Sequence, residues 1–298
     1  MSNVFSRWLR WHIYAGFLFA GYLAGNLWAQ SSPTVFNTNG GWNWCQDERV
    51  IINNNKLIFG SVAEAGGTGG ATRDGNVELT TYDLSTSALN VFVLHANLDS
   101  DDHAAPALMV RPDGKILAVY TQHNNDDYIR YRITTNAGDT SSWSPEQTYT
   151  AGAVVAYSNV YRLSSEGKTY DFYRGENYNP NVLISSNDGT SWTYGGRLIR
   201  VGSGSVRPYG KYISNNTDKI YFIYTDGHPR DVVTNLYAAY LQGGVIYNSS
   251  GVKIGDLNTT GTSGIAPSVG TKIFNADSTH RAWGSDLQLD SQGYPVAT

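Results

Sequence analysis
An all-β fold, a β-propeller of four-stranded blades, is predicted by three features of this 298-residue chain. Short strand pairs recur about every fifty residues, no convincing amphipathic helix follows residue 30, and one segment fits the Asp-box pattern. A repeat of that length made only of strands signals a propeller, because a single blade cannot bury its own faces and must stack on neighbours.

Residues 1–30 stand apart from the repeat. Arg7 and Arg10 precede an apolar run from Ile13 to Ala24, followed by Asn26-Leu27-Trp28-Ala29-Gln30 and a Ser-Ser-Pro stretch. This order reads as a secretory signal peptide with cleavage near Ala29, or as an N-terminal anchor; the apolar core is short for a spanning helix. Residues 31–298 are then an exported propeller domain, secreted, periplasmic or at the cell surface. Contact with a membrane is expected only through the N-terminal segment, if it is retained.

Five strand pairs follow in order. Glu48–Asn53 and Lys56–Val62 flank a turn at Asn54-Asn55. Ala107–Val110 and Lys115–Tyr120 flank Pro112-Asp113-Gly114, and an Asp-Gly turn between such runs is a strong hairpin signal. Val160–Leu163 and Lys168–Arg174 flank Ser164–Gly167, Lys211–Ser214 and Lys219–Thr225 flank Asn215–Asp218, and Asp286–Leu289 and Tyr294–Thr298 flank Asp290–Gly293. Four turns lead into lysines 56, 115, 168 and 219, spaced 59, 53 and 51 residues apart. The Asp-box is Ser186-Asn187-Asp188-Gly189-Thr190-Ser191-Trp192, with a decayed copy at Thr135–Trp143; its aspartate and tryptophan are assigned to the turn and the blade packing. About five blades are visible and the last is incomplete, so a propeller truncated at its C-terminus is expected.

Composition narrows the partners. A net charge of −4 without a basic cluster argues against nucleic acid. With 21 Tyr and 8 Trp but only 15% charged residues, the surface suits sugars, since aromatic faces stack on pyranose C–H groups and amides match hydroxyls. A monomer is expected. The single cysteine, Cys45, excludes an internal disulfide framework and is expected to be a buried structural thiol.

In a propeller the starts of the first strands and the ends of the second strands share one face, around the channel mouth. Blade by blade, that address carries Trp42, Trp44, Gln46 and Asp47, then His103 and His123, then Tyr157 and Arg174. Next come Arg207, Tyr209, Asp226 and His228, and finally Trp283 and Asp286. Tyr157 follows His103 by 54 residues and Arg174 follows His123 by 51, so all four occupy equivalent places on adjacent blades. These are the parts needed to remove a proton next to a carboxylate. An arginine fork neutralises the carboxylate, an imidazole or phenolate takes the proton, and a second group protonates the leaving oxygen. No cofactor is required for this chemistry. A structural calcium or zinc ion stays open, for instance at Asp226 and His228. Ordinary roles compete: Arg174 paired with Asp171 or Glu176, His95 as a satisfied core residue, and His280 in a polar loop.

The segments WNWCQDERVI, DDHAAPALMVRPDGKILAVYTQHN, YSNVYRL, YDFYRG and TDGHPRD resemble the BNR-repeat propeller family that includes ulvan lyases. The resemblance covers roughly residues 40–298. It implies relatives with seven blades that cleave a sulfated algal polysaccharide by β-elimination, between sulfated rhamnose and a uronic acid. By this resemblance His103 and His123 match paired active-site histidines and Arg174 matches the carboxylate-neutralising arginine. Tyr157 matches the tyrosine acting with the histidines, although Tyr161 lies close by. The expected function is an exported polysaccharide lyase acting on a uronate-containing, sulfated polymer. His103 would be the base, Tyr157 or His123 the acid, and Trp42, Trp44, Arg207, Tyr209 and His228 substrate contacts. The alternatives are a non-catalytic carbohydrate-binding propeller and a sialidase-like glycoside hydrolase, whose Arg-Ile-Pro motif Arg49-Val50-Ile51 does not match.

Overall fold
The computed structural model describes residues 33–201, 206–258 and 264–298, so the expected leader at 1–30 lies outside the described residues. The chain divides into two compact units, Met1–Val35 and Phe36–Thr298, and the second carries the fold. No helix among the described residues is long and apolar enough to cross a membrane.

Phe36–Thr298 is an all-β propeller assembly of antiparallel sheets. The first blade contains β1 (Val50–Asn53), β2 (Lys56–Val62), β3 (Val77–Asp83) and β4 (Leu89–His95), paired in chain order. The second contains β5 (Ala107–Val110), β6 (Ile116–Tyr120), β7 (Tyr128–Ile133) and β8 (Gln147–Thr150). The third contains β9 (Ala156–Leu163), β10 (Lys168–Arg174), β11 (Pro180–Ser185) and β12 (Thr193–Arg197). All five expected hairpins form. β9 begins at Ala156, four residues ahead of the expected start, and its first residues carry a bulge against β10.

The fourth sheet departs from the four-strand expectation. It contains β13 (Gly210–Ser214), β14 (Ile220–Thr225), β15 (Leu236–Gln242), β16 (Val245–Asn248), β17 (Lys253–Asp256) and β18 (Thr271–Phe274). The fourth-strand position is split: β16 pairs with the second half of β15 and β18 with the first half. The last hairpin is β19 (Leu287–Leu289) with β20 (Pro295–Ala297).

Alternate residues of a strand point to opposite faces, and blades inside the stack bury both. In β6, Ile116, Ala118 and Tyr120 pack toward Ile58 and Leu79 of the first blade, while Leu117 and Val119 pack toward Val160 and Leu183 of the third. That two-sided burial explains why ILAVY is apolar throughout. Tyr170, Phe172 and Val182 of the third blade meet Tyr212, Phe222 and Tyr224 of the fourth. Each fully buried large side chain of this kind contributes about 1.5–3 kcal/mol. The Asp-box forms the β11–β12 turn, with Trp192 buried and Asp188 accepting from Arg162 Nε at 2.7 Å. Its decayed copy forms the β7–β8 connection, closed by a Thr134–Trp143 bridge.

A buried polar network pins three blades at the axis. Asp47 accepts from Tyr161 Oη at 2.7 Å and from the Tyr212 backbone N–H at 3.2 Å. Lys211 Nζ donates to the carbonyls of Trp44 and Gln46 at 2.5 Å. Arg49 donates to Asn159 Oδ1 at 3.0 Å and to the Ser158 carbonyl at 2.7 Å, while Asp171 accepts from the Asn159 N–H at 3.0 Å. Burial raises the Asp47 carboxyl to about 6 and that of Asp171 to about 7, against the opposing pull of Lys211 on the former and of its hydrogen bonds on the latter.

Candidate active site
The second blade delivers its histidines from two loops that are tied together. His103 lies in a short 3-10 turn, Asp102–Ala104, just ahead of β5, and His123 follows β6 by three residues. Gln46 Nε2 holds the His103 carbonyl at 2.6 Å, and Asp99 Oδ2 accepts from the His123 backbone N–H at 3.0 Å. The two imidazoles stack with centroids 4.0 Å apart and planes 9° from parallel. Burial lowers the basicity of His123, with His103 and Arg174 pushing the same way against the hydrogen bond to Asp101.

The third blade adds the other two residues. At the bulge, Tyr157 and Ser158 together oppose Tyr173, since Phe172 pairs with Asn159 and Arg174 with Ala156. Tyr157 takes a left-handed backbone with φ 60°, a conformation that costs a non-glycine residue on the order of 1–3 kcal/mol. Bulges re-aim side chains. Arg49, Asn159 and Asp171 of the axial network hold the residues just beyond Tyr157 and so sustain the bulge. Its ring lies 5.2 Å from that of His103 and 5.7 Å from that of His123. Arg174, the last residue of β10, donates from Nη2 to His123 Nε2 at 3.0 Å and from Nη1 to Tyr157 Oη at 3.4 Å. Its guanidinium lies 4.4 Å from the Tyr157 ring centroid, and its Nε has no hydrogen-bond partner among the described residues.

The structure thus brings His103, His123, Tyr157 and Arg174 into one cluster. Tyr161, four residues on from Tyr157, is instead partly buried and bound to Asp47 and the Tyr212 carbonyl. Neither expected rival partner holds Arg174: Asp171 is committed to Asn159 and Ser158, and Glu176 to Arg197.

A row of aromatic rings continues from Tyr157 through Tyr209 at 6.3 Å and Trp283 at 5.6 Å to Trp44 at 4.9 Å. Trp44 and Tyr209 therefore stand beside the cluster, and Trp42, half exposed, lies outside this row. Tyr178 takes Arg174 on its ring at 5.5 Å and Arg207 at 5.6 Å. His228 departs from the expectation of a substrate contact. It is 3% exposed, its Nδ1 accepts from the Arg230 backbone N–H at 3.0 Å, and its ring backs Tyr209 and Trp283.

Other expectations are corrected too. The Asp226 carboxylate accepts from the Asn235 backbone N–H and side-chain amide and from the Tyr237 hydroxyl. Among the described residues, the group with ligand atoms near one another is Asp101, His103 and His123, within 4.8 Å. Its parallel rings direct their Nδ1 atoms side by side onto the two oxygens of one carboxylate, whereas ligands of a zinc ion must converge on a single point about 2.0–2.1 Å from each nitrogen. The arrangement therefore does not fit a shared ion. His95 is only partly buried and is bound through Nδ1 to Glu146 at 2.7 Å, which also accepts from Tyr120 Oη. Cys45 is half-buried, its thiol pushed up to about 11 by burial. A cavity of about 630 Å³ between the first strands is lined by Arg49, Met109 and Arg162 and by none of the four cluster residues.

The sequence reading did not assign Asp101, Tyr178 or Trp283 a role in the site. The Asp-x-His spacing at 101–103 is a signal for the first, because a carboxylate capping a turn folds back on the residue two ahead. Tyr178 lies in an irregular turn beside Asn177, itself at φ 53°, and has no such signal.

Comparisons with known proteins agree with this architecture. A search of curated protein sequences gives no significant match. The ulvan lyase of polysaccharide lyase family PL25, solved with and without -[GlcA(1-4)Rha3S]-, superposes with a TM-score of 0.66 at 14% and 15% identity. This chain is covered to 87% and the lyase to 66% in both cases. A further polysaccharide lyase, Uly1, superposes with a TM-score of 0.53 at 15% identity, covering 80% of this chain and 62% of that one. The chain spans about 66% of the length of the ulvan lyase, and the shared architecture is one that carbohydrate-active enzymes use. The family profile described as "BNR repeat-containing family member" matches residues 68–298, and with that span of repeats the chain belongs to the BNR repeat-containing family.

Proposed function
We propose that this protein is an exported polysaccharide lyase that cleaves a uronate-containing, sulfated algal polymer of the ulvan type by β-elimination. The observation that carries the reading is Arg174, whose guanidinium touches His123 Nε2 and Tyr157 Oη in one cluster with His103. An arginine fork beside a base is the arrangement that binds a uronate carboxylate and makes the neighbouring C–H acidic. The polar contacts of the His103 ring to Asp101 and Asp102 are made through Nδ1, and Nε2 is the base in this reading.

The step balances as follows. His103 Nε2 takes the proton from the carbon next to the carboxylate, and the C–H electron pair becomes the new C=C bond. The adjacent C–O bond to the chain breaks, and the leaving oxygen receives the proton of Tyr157 Oη. Burial pushes the Tyr157 hydroxyl well above its ordinary range against the pull of Arg174, which keeps it protonated. His123, whose Nε2 already accepts from Arg174, holds the fork in place. Trp44, Tyr209 and Trp283 offer rings on which sugars stack.

The test is ultraviolet absorbance of an unsaturated uronate product when the purified protein is incubated with ulvan and other uronate polymers. Growth of that absorbance, lost in His103→Ala and Arg174→Ala, supports the reading. Activity that survives both substitutions rules out this site. Polymer binding without new chain ends would mark a non-catalytic carbohydrate-binding propeller instead.

A further inference from the structure
Asp101 lies against both histidines and has no part in the elimination step above. Its Oδ1 accepts from the His103 backbone N–H at 3.0 Å and meets His103 Nδ1 in a short contact. Its Oδ2 meets His123 Nδ1 at 2.7 Å. We propose that Asp101 is a positioning residue that holds both imidazoles in the Nδ1–H tautomer, so that both Nε2 lone pairs face the site. This rests on the elimination reading for its consequence, though not for its geometry.

Three observations fix the proton positions. A carboxylate only accepts, so a ring nitrogen bound to it must donate. For His103, Asp102 Oδ1 at 2.8 Å from the same Nδ1 is a second acceptor at that nitrogen. For His123 the opposite edge gives the same answer: a guanidinium only donates, so Nε2, 3.0 Å from Arg174 Nη2, is the acceptor. The tautomer of a histidine is set by what its other nitrogen binds, and here both edges of His123 agree.

Local sequence builds this device. Asp101 caps the 3-10 turn Asp102–Ala104, and the capping bond to the His103 N–H draws the carboxylate under the His103 ring. Asp99 and Gln46 fix the two loops at the separation that lets one carboxylate span two rings. The spacing also limits charge. Two imidazolium ions 4.0 Å apart repel each other, and one shared carboxylate balances one of them. The groups facing the pair are Asp99, Asp101, Asp102, Tyr157 and Arg174. Burial would push the Asp101 carboxyl up, but hydrogen bonds from the His103 N–H and from both rings outweigh it and bring it to about 2. The carboxylate is therefore charged throughout the working range and can receive the charge that His103 acquires from the substrate proton.

The experiment reads tautomers directly, from ring nitrogen chemical shifts of ¹⁵N-histidine-labelled protein at a pH where the rings are neutral. The wild type is expected to show Nδ1–H on both His103 and His123. In Asp101→Asn the amide N–H₂ faces one ring as a donor and is expected to drive it to Nε2–H. Lyase turnover is expected to fall by roughly 10²–10⁴-fold in kcat, as for a general base in the wrong tautomer. Asp101→Glu is expected to restore Nδ1–H and part of the turnover. An Nε2–H signal on either wild-type ring overturns the proposal, as does Asp101→Asn with both rings still Nδ1–H. Wild-type protein with both Nδ1–H signals and no cleavage of any uronate polymer supports the tautomer assignment and overturns the elimination reading instead.

Discussion

Two clusters in this molecule use the same residue types to opposite ends. At the channel mouth Asp101 faces two imidazoles with its carboxyl held at about 2. At the axis Asp47 and Asp171 face Lys211, Arg49 and two tyrosines with their carboxyls raised to about 6 and about 7. The difference is solvation. Asp101 is partly exposed and its charge is met by three donors, so hydrogen bonding outweighs burial. The axial acids are sealed, and the cost of burying a charge outweighs their partners. The first arrangement leaves both imidazoles partly exposed; the second stores its polar groups as a pin between blades. They are linked at Ser158 and Asn159, where the axial network holds the bulge that presents Tyr157.

That contrast can be broken from either side. The largest effect is expected at the mouth: His103→Ala should lower kcat/KM on ulvan by roughly 10³-fold while the denaturation midpoint barely moves, measured by product absorbance and urea unfolding. Tyr157→Phe, which deletes only the hydroxyl, should cost on the order of 10²-fold with stability likewise retained. At the axis the pattern reverses. Asp47→Ala leaves the Tyr161 hydroxyl with one partner fewer, the Tyr212 N–H without this acceptor, and the buried Lys211 without the carboxylate that offsets its desolvation most. It should lose about 3–5 kcal/mol in urea unfolding. If His103→Ala unfolds the protein, or Asp47→Ala leaves stability untouched, the division of labour between the clusters is wrong.

The smallest effect is in pH dependence. A carboxyl whose folded value is raised binds more protons in the folded state, so its contribution to stability is present below about 4 and is lost as pH rises. For Asp47 and Asp171 that loss runs from about 4 up to about 6 and about 7. Asp101 has the opposite sign: its contribution is present above about 4 and is lost as pH falls toward about 2. Urea midpoints between pH 4 and 8 should therefore show a shallower decline in Asp171→Asn than in the wild type. An unchanged slope would mean that Asp171 does not titrate in that window.

The sequence alone carried the strand pairs. The turns at Asn54-Asn55, Pro112–Gly114 and Ser164–Gly167 lie between runs that pair in the structure as read, because turn chemistry and apolar runs act over a few residues. The repeat then placed His103, His123, Tyr157 and Arg174 at equivalent addresses, since propeller geometry converts spacing into position. It erred where identity depends on what a side chain meets across blades. His228 looked like a groove residue and is a buried support, and His95 looked like core and is bound to Glu146 on the next blade. The split fourth-strand position beside β15 was invisible for the same reason: two short strands separate in sequence, β16 and β18, share its edge.

What the sequence by itself determined is periodic and local: an all-β chain, its hairpins, the Asp-box and the address of the cluster. What only the tertiary structure decided is partnership. Tyr157 and Tyr161 are four residues apart on one strand, and nothing in their local sequence separates a groove residue from an axial pin. The bulge at Tyr157, held by Arg49 of another blade, and the Asp47 carboxylate waiting for Tyr161 make that choice. Hydrogen bonds between residues more than a hundred positions apart have no signature in either neighbour's sequence, so they appear only once the blades are stacked.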